Sequence, residues 1–280
     1  MKKQLLILFA ALMLSWSAGA QTIVELVKDI NPSGDSRPGY FIEYNNKLHF
    51  RTNDHPGRWD LWVTDGTSAG TQLVKDINTS GDYASDIFIE CNGKLFFTAD
   101  DGTHGEELWI SEGTTASTQL LKDINPLTGS WPEDFAVYND KLYFNADDGT
   151  NGWELWVSDG TSSGTKLLKN INPSGYSSPH YFTEYNGNLY FSADNGTHGE
   201  ELWVTDGTSD GTQFLKDINP SGSSYPSFFT EYKSNLYFVV DDGTHGKELW
   251  VTDGTSAGTQ LLKDINPSGS SYPSHFTEYN

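Results

Sequence analysis

The chain has 280 residues, with 38 acidic side chains against 17 basic ones, a formal net charge of −21 and one cysteine. So acidic a surface repels phosphate backbones, which excludes nucleic acid as a partner, and a lone Cys91 excludes an internal disulfide. Aromatic residues make up 14% of the chain while 28 Gly and 11 Pro supply turns, a balance that excludes disorder and favours short strands over helices.

Residues 1–20, MKKQLLILFAALMLSWSAGA, join Lys2 and Lys3 to an apolar run and the small Ala18 and Ala20, the pattern of a secretory signal peptide. The run is shorter than the roughly 20 residues of a spanning helix, and nothing later approaches that length. The expected product is therefore secreted or held at the cell surface, with no membrane span and no lipid-anchor cysteine at the cleavage point. Removing Lys2 and Lys3 leaves 15 basic residues against 38 acidic ones. That excess reads as a solubility feature, also compatible with cations or basic partners.

From residue 21 onward the chain is one repeat domain. Asn31, Asn78, Asn125, Asn172, Asn219 and Asn266 are spaced by 47 residues; Lys28 to Lys263, Phe50 to Phe238 and Trp62 to Trp250 keep the same step. Each unit holds four short runs, seen in one copy as HYFTEYN (180–186), NLYFSAD (188–194), EELWVTD (200–206) and TQFLKDI (212–218). Asn186-Gly187 between the first two is a strong hairpin signal, because both central residues of that turn need positive φ. Four antiparallel strands in this length match one blade of a β-propeller. The expectation is an all-β, β-propeller-like array of four-stranded antiparallel blades: five complete repeats plus partial terminal strands. The partial copies TIVELVKDI (22–30) and SHFTEYN (274–280) are expected to meet in an incomplete sixth blade, as in a fragment of a longer chain. An open stack of four-stranded units and a β-solenoid are the alternatives.

The motif ELWxxDGT stands at Glu154–Thr161, Glu201–Thr208 and Glu248–Thr255, with variants ELWISEGT at Glu107–Thr114 and DLWVTDGT at Asp60–Thr67. On these residues the chain resembles the ELWxxDGT-repeat family of secreted bacterial proteins. The resemblance implies a propeller-like repeat domain on exported, often large and surface-associated proteins of Bacteroidetes-type bacteria. It implies no established activity.

The turn Gly207-Thr-Ser-Asp-Gly211 and its three matching copies fit the hydrolase pattern G-x-S-x-G, but that pattern carries a nucleophile only between a strand and a helix with a His and an acid nearby. Local turn chemistry explains it better: Asp206 bonding amides two residues on, Gly207 and Gly211 at positive φ, Thr208 and Thr212 closing further bonds. Trp203 and its equivalents are expected to pack between blades, with sugar stacking as the alternative.

ADDGTHGEELW (99–109) gathers oxygens, so Asp100, Asp101, Asp147, Asp148, Asp241 and Asp242 are the candidates for calcium, although the spacing matches neither an EF-hand nor a nonapeptide calcium repeat. Zinc is disfavoured, because His104, His198 and His245 belong to different blades. In an up-and-down blade the DDGTHG loop and the NPSGSSYP connection share one rim. There the units differ at Arg37, Ala84, Trp131, Ser178, Tyr225 and Tyr272. Arg37, Trp131, Tyr225, Tyr272, His104, His198 and His245 are thus the candidate ligand-binding residues, for a glycan or an extracellular protein surface. Free variation at an unconstrained position is the competing explanation. Glu43, Glu90, Glu184, Glu231 and Glu278 form the only recurrent acid ring, too uniform for an active site. Cys91, standing where other units carry Tyr, reads as a packed residue. Function is expected to be scaffold-mediated binding or adhesion without catalysis and without a required cofactor. A calcium-dependent polysaccharide-active enzyme and a structural spacer are the alternatives.

Overall fold

The computed structural model describes residues 25–55, 58–78 and 84–277, so the signal-peptide segment and Glu278 lie outside the described residues. Twenty strands form five four-stranded antiparallel sheets in chain order, spanning 39–75, 84–122, 133–169, 180–216 and 227–263. Among the described residues there is no helix, and so none long and apolar enough to cross a membrane.

The fourth sheet shows why each run folds as it does. Its strands His180–Tyr185, Asn188–Asp194, Glu200–Thr205 and Gln213–Lys216 lie side by side in chain order. The first turn has Asn186 at φ 52° and Gly187 at φ 74°, the pair of positive angles a two-residue hairpin requires. In the turn before the last strand, Asp206 Oδ1 accepts the Thr208 amide at 2.8 Å and its hydroxyl at 2.7 Å, and Thr208 Oγ1 accepts the Gly211 amide at 2.9 Å. Gly207 sits at φ 90°, but Gly211 does not reach positive φ. Its lack of a side chain serves a different purpose, since a Cβ there would lie 2.0 Å from Asp206 Oδ1. The fourth strand is also shorter than TQFLKDI, because the chain leaves the sheet to present the amides of Ile218 and Asn219 to a buried carboxylate.

The second and third strands are buried on both faces, because each inner sheet is sandwiched between two neighbours. Leu189, Phe191, Ala193 and Trp203 face back onto Tyr138, Tyr143, Leu155, Val157, Leu168 and Ile171 of the third sheet. Tyr190, Leu202 and Ile218 face forward onto Leu236, Phe238, Val240 and Trp250 of the fifth. Four such cores join the five sheets and take in Trp109, Trp156, Trp203 and Trp250, while Trp62 is buried outside them with Lys28 Nζ 5.8 Å from its ring. Polar latches reinforce them: Lys75 donates to Thr118 O at 2.7 Å and Lys122 to Thr165 O at 2.8 Å, each reaching the next sheet. Lys75 Nζ also stands 5.6 Å from the Trp109 ring, so the same cation serves two partners. Tyr138 Oη donates to Gly187 O at 2.6 Å, and Tyr185 Oη to Ser234 O at 2.7 Å. Cys91, buried where those tyrosines stand, cannot reach across, and burial pushes its thiol up to about 11.

Contacts between sheets also run from first strand to first strand. The terminal copies behave differently from the expectation of two strands sharing a blade. Neither 25–38 nor 264–277 is a strand. Lys28 nevertheless donates to Thr71 O at 2.7 Å, the latch that fourth strands make elsewhere. Phe276 and Thr277 line one cavity together with Tyr232, Tyr237 and Leu249 of the fifth sheet. A hairpin needs a partner edge to order it, and each terminal copy holds one run out of four.

Candidate functional site

The connection leaving each sheet is pinned by a buried glutamate of the ELW motif. Glu201 takes the amides of Ile218 at 2.8 Å and Asn219 at 3.3 Å, and the Ser224 hydroxyl at 2.6 Å. Glu107 and Glu154 repeat the arrangement with Ile124, Asn125 and Ser130, and with Ile171, Asn172 and Ser177. Burial outweighs these bonds and raises all three carboxyls, Glu201 to about 7. Glu248 keeps two of these bonds, from the Ile265 amide at 3.0 Å and the Ser271 hydroxyl at 2.6 Å, with thinner protein around it; there burial weighs less than the bonds and the carboxyl lies below its usual range. The motif's glutamate is thus the anchor of the loop that follows, a role the repeat spacing alone did not reveal.

From that anchor the connection crosses to the next sheet. The amides of Ser224 and Tyr225 donate to Glu200 O, and Asp241 N of the fifth sheet donates to Ser224 O at 2.9 Å. Asn219 folds over its own loop and lies where a Cβ on Gly243, in the next DDGTHG loop, would collide at 2.5 Å. Gly199 likewise abuts Ser223. The two loop types therefore interlock along one edge, where the sequence places them together.

At that edge the variable position has a fixed backbone. Arg37, Trp131, Ser178, Tyr225 and Tyr272 all have φ between 43° and 53°. Three residues on, Tyr40, Asp134, Tyr181, Phe228 and His275 have φ between 55° and 61°, inside a bulge where His180 pairs Ser192 but Thr183 pairs Tyr190. Left-handed backbone is strained for bulky side chains, and bulges re-aim the residue they contain. Side-chain identity varies among these residues while conformation does not; the second sheet departs from the pattern, since Ile87 at the position of Tyr40 is not left-handed and the register there shifts between Ala84 and Phe88. Tyr225 is 50% exposed and Tyr272 69% exposed. Trp131 stacks on Trp153 with ring centroids 6.3 Å apart, and Lys247 Nζ lies 5.7 Å from the Tyr225 ring. Arg37 is turned onto Asp35 at 3.3 Å.

The loop carboxylates are engaged with their own turns. Asp100 accepts Gly102 N at 2.7 Å, Asp147 accepts Gly149 N at 2.7 Å, and Asp241 accepts Gly243 N at 2.8 Å. Asp101 and Asp242 each accept two amides and a histidine, His104 Nδ1 at 2.8 Å and His245 Nδ1 at 2.7 Å; these partners lower the acids and raise the histidines. Asp148 holds Thr150 and Asn151, and His198 lies beside Asn195 and against Phe214. Among the described residues no group of three or more His, Cys, Asp or Glu side chains is placed to hold a metal ion. The serines of the G-x-S-x-G turns, such as Ser209, sit exposed between strands.

One constellation breaks the repeat. His180 Nε2 meets Glu200 Oε1 at 3.0 Å and Nδ1 meets Ser178 O at 2.7 Å, while Ser192 donates to Glu200 at 2.8 Å. Burial disfavours the charged ring, but acceptors on both nitrogens outweigh it and raise His180, as the histidine in turn lowers Glu200. Glu133 and Asp134 of the third sheet lie close enough to feel the His180 charge. The repeat pattern conceals this group, because no two of its members share a repeat position except Glu133 and His180.

No protein-family profile matches the chain, and no curated protein matches it either. Solved structures do resemble it. A puromycin hydrolase is 15% identical with a TM-score of 0.50, matching 82% of this chain and 39% of its own. A puromycin-hydrolyzing peptidase from Mycobacterium tuberculosis is 11% identical with a TM-score of 0.51 over 82% of this chain and 38% of its own. Oligopeptidase B from Leishmania major is 11% identical with a TM-score of 0.50 over 81% and 34%. The chain spans well under half the length of these proteins, and the likeness is one of repeated all-β architecture.

Proposed function

We propose that this chain is an exported propeller-type scaffold of the ELWxxDGT-repeat kind whose loop edge binds a glycan or an extracellular protein, as in adhesion, without catalysis. The observation that carries the reading is the edge itself. The variable position holds left-handed backbone whether the residue is Arg37, Trp131, Ser178, Tyr225 or Tyr272. Strain of this kind persists only where surrounding structure over-determines it, and outliers of this sort are characteristic of binding surfaces. A rigid scaffold with varied, exposed aromatic and polar side chains at one repeated place is a surface for recognition. Similar weak sites on several sheets combine by multivalency, so no deep pocket is required.

A radial arrangement is supported by the contact of first strands with first strands and by the outer face of the fifth sheet. Ile265 there is 52% exposed, whereas its equivalent Ile218 is 5% exposed under the next sheet. That face has the composition of the buried ones and suits a further blade.

The test is binding of the purified secreted chain to a glycan array, with and without EDTA, beside a Trp131→Ala/Tyr225→Ala double variant. Binding that the variant loses supports the reading. Unchanged binding by the variant refutes the role of the edge, and loss in EDTA would bring calcium back. A wild-type chain that binds no glycan rejects the glycan form and leaves a protein partner.

A further inference from the structure

The fifth sheet carries one half of a core. Between the fourth and fifth sheets, Tyr185, Tyr190, Leu202 and Ile218 supply one side of a buried cluster, and Leu236, Phe238, Val240 and Trp250 supply the other, with Phe229 packed against it. One repeat step on from Tyr185, Tyr190, Leu202 and Phe229 stand Tyr232, Tyr237, Leu249 and Phe276, and these four line a single cavity of about 330 Å³. The first side of the cluster is repeated there; among the described residues the second side has no counterpart. Tyr232 is accordingly 37% exposed where Tyr185 is 3% exposed, and Leu262 is exposed where Leu121 and Leu168 are buried.

The polar latches are open at the same place. Lys75, Lys122 and Lys169 each donate to a threonine carbonyl of the next sheet, and Tyr44, Tyr138 and Tyr185 donate to the carbonyl of a hairpin-turn residue there. Lys263 and Tyr232 hold those two repeat positions on the fifth sheet, and both are exposed.

A strand edge lies beside the cavity. The amides of Ser271 and Tyr272 donate to Lys247 O at 2.9 and 3.2 Å, as those of Ser224 and Tyr225 do to Glu200 O, and Tyr272 and His275 keep the left-handed backbone of the first strands at φ 50° and 57°. Residues 271–277 therefore have the entry geometry of a first strand, and among the described residues no second strand pairs with them. In the fifth sheet that pairing joins Ser227 to Val239 and Thr230 to Tyr237, while Asp241 N donates to Ser224 O at 2.9 Å.

The four built junctions dictate what fits. The occupant is a strand with apolar residues at alternate positions, in the order Leu-x-Phe-x-Ala or Leu-x-Phe-x-Val, turning into a strand that carries a Trp. A second copy of this chain would have to unfold to supply it, because its second and third strands are already paired within their own sheets.

We propose that the open face of the fifth sheet and residues 271–277 form a docking site for a β-hairpin of this second-and-third-strand kind, presented by another protein that carries the repeat. The hairpin adds to the edge at 271–277 and completes the core, a form of strand addition in which main-chain bonds give affinity and alternate side chains give specificity. The site is separate from the loop edge and rests only on the packing of sheet on sheet.

The experiment is fluorescence anisotropy of a labelled synthetic peptide with the sequence of residues 188–206, titrated with the full secreted chain. The control peptide carries Leu189→Ser and Phe191→Ser, the two side chains that would enter the cavity. Saturable binding of the first peptide is expected, with the control weaker by about tenfold or more, and the amides of 272–277 should gain protection from hydrogen exchange as it binds. In the chain, Leu262→Asp and Tyr237→Asp each place a carboxylate on the open face and should weaken binding by about tenfold or more. No saturable binding, equal binding of the control peptide, or undiminished binding by both folded variants overturns the proposal. So does a chain that is dimeric by itself and stays so in saturating peptide, which would give the face to a second copy. The titration involves no glycan, so it can fail while the array succeeds, or the reverse.

Discussion

Replacing Glu201 by Ala tests whether the motif glutamate holds the connection. The carboxylate serves three donors, the amides of Ile218 and Asn219 and the hydroxyl of Ser224, in a fully buried place. Ser224 has an alternative, because its hydroxyl already lies 3.3 Å from Glu200 O. The two amides have none, and an unsatisfied buried donor costs about 1–3 kcal/mol, so the expected loss is roughly 2–6 kcal/mol. With a urea slope of about 1–3 kcal/mol per molar, the unfolding midpoint should fall by about 1 M or more. Urea unfolding followed by tryptophan fluorescence reads this directly, since Trp203 lies two residues away in the same strand. Ser224→Ala is the control and should cost only about 1 kcal/mol. A Glu201→Ala midpoint indistinguishable from wild type would refute the reasoning, as would an equal effect of Ser224→Ala.

Two further outcomes follow from the same contacts. Cys91→Tyr should restore the inter-sheet bond made by Tyr44, Tyr138 and Tyr185, with Asp140 O as acceptor at the equivalent place, and raise stability by about 1 kcal/mol in the same assay. Glu201 has a folded pKa raised from 4.5 to about 7, and Glu107 and Glu154 are raised as well. The folded state therefore binds more protons than the unfolded one in this window, and their contribution is complete below about 4.5 and lost as pH rises through about 7. The urea midpoint should fall from pH 5 to pH 8, and Glu201→Gln should flatten that fall.

Much of the fold is legible in the order of residues alone. The repeat step, the hairpin at Asn186-Gly187 and the alternation of Leu189, Phe191 and Ala193 with Tyr190 and Ser192 depend on local backbone preferences and on side-chain period, both of which lie along the chain. The sharing of one edge by the DDGTHG loops and the connections follows from the same up-and-down order. Gly211 departs from the expected positive φ because the reason for a glycine there is the Asp206 side chain folding back, a contact and not a torsion.

The site is less legible. That Trp131, Ser178 and Tyr225 share a left-handed backbone cannot be read from residues whose identities differ, since their amides are held by Glu106 O, Trp153 O and Glu200 O, which belong to the strand beside them. The burial of Glu201 depends on the sheet stacked over it, as the contrast with Glu248 shows. The group of Glu133, Asp134, His180 and Glu200 exists only where the third sheet meets the fourth. The sequence by itself determined the unit, its four strands and its turns, because those are set by neighbours in the chain. Tertiary structure alone decided which carboxylates are buried, which aromatic rings face outward and where acids gather, because burial and charge depend on what packs against a residue from the next sheet.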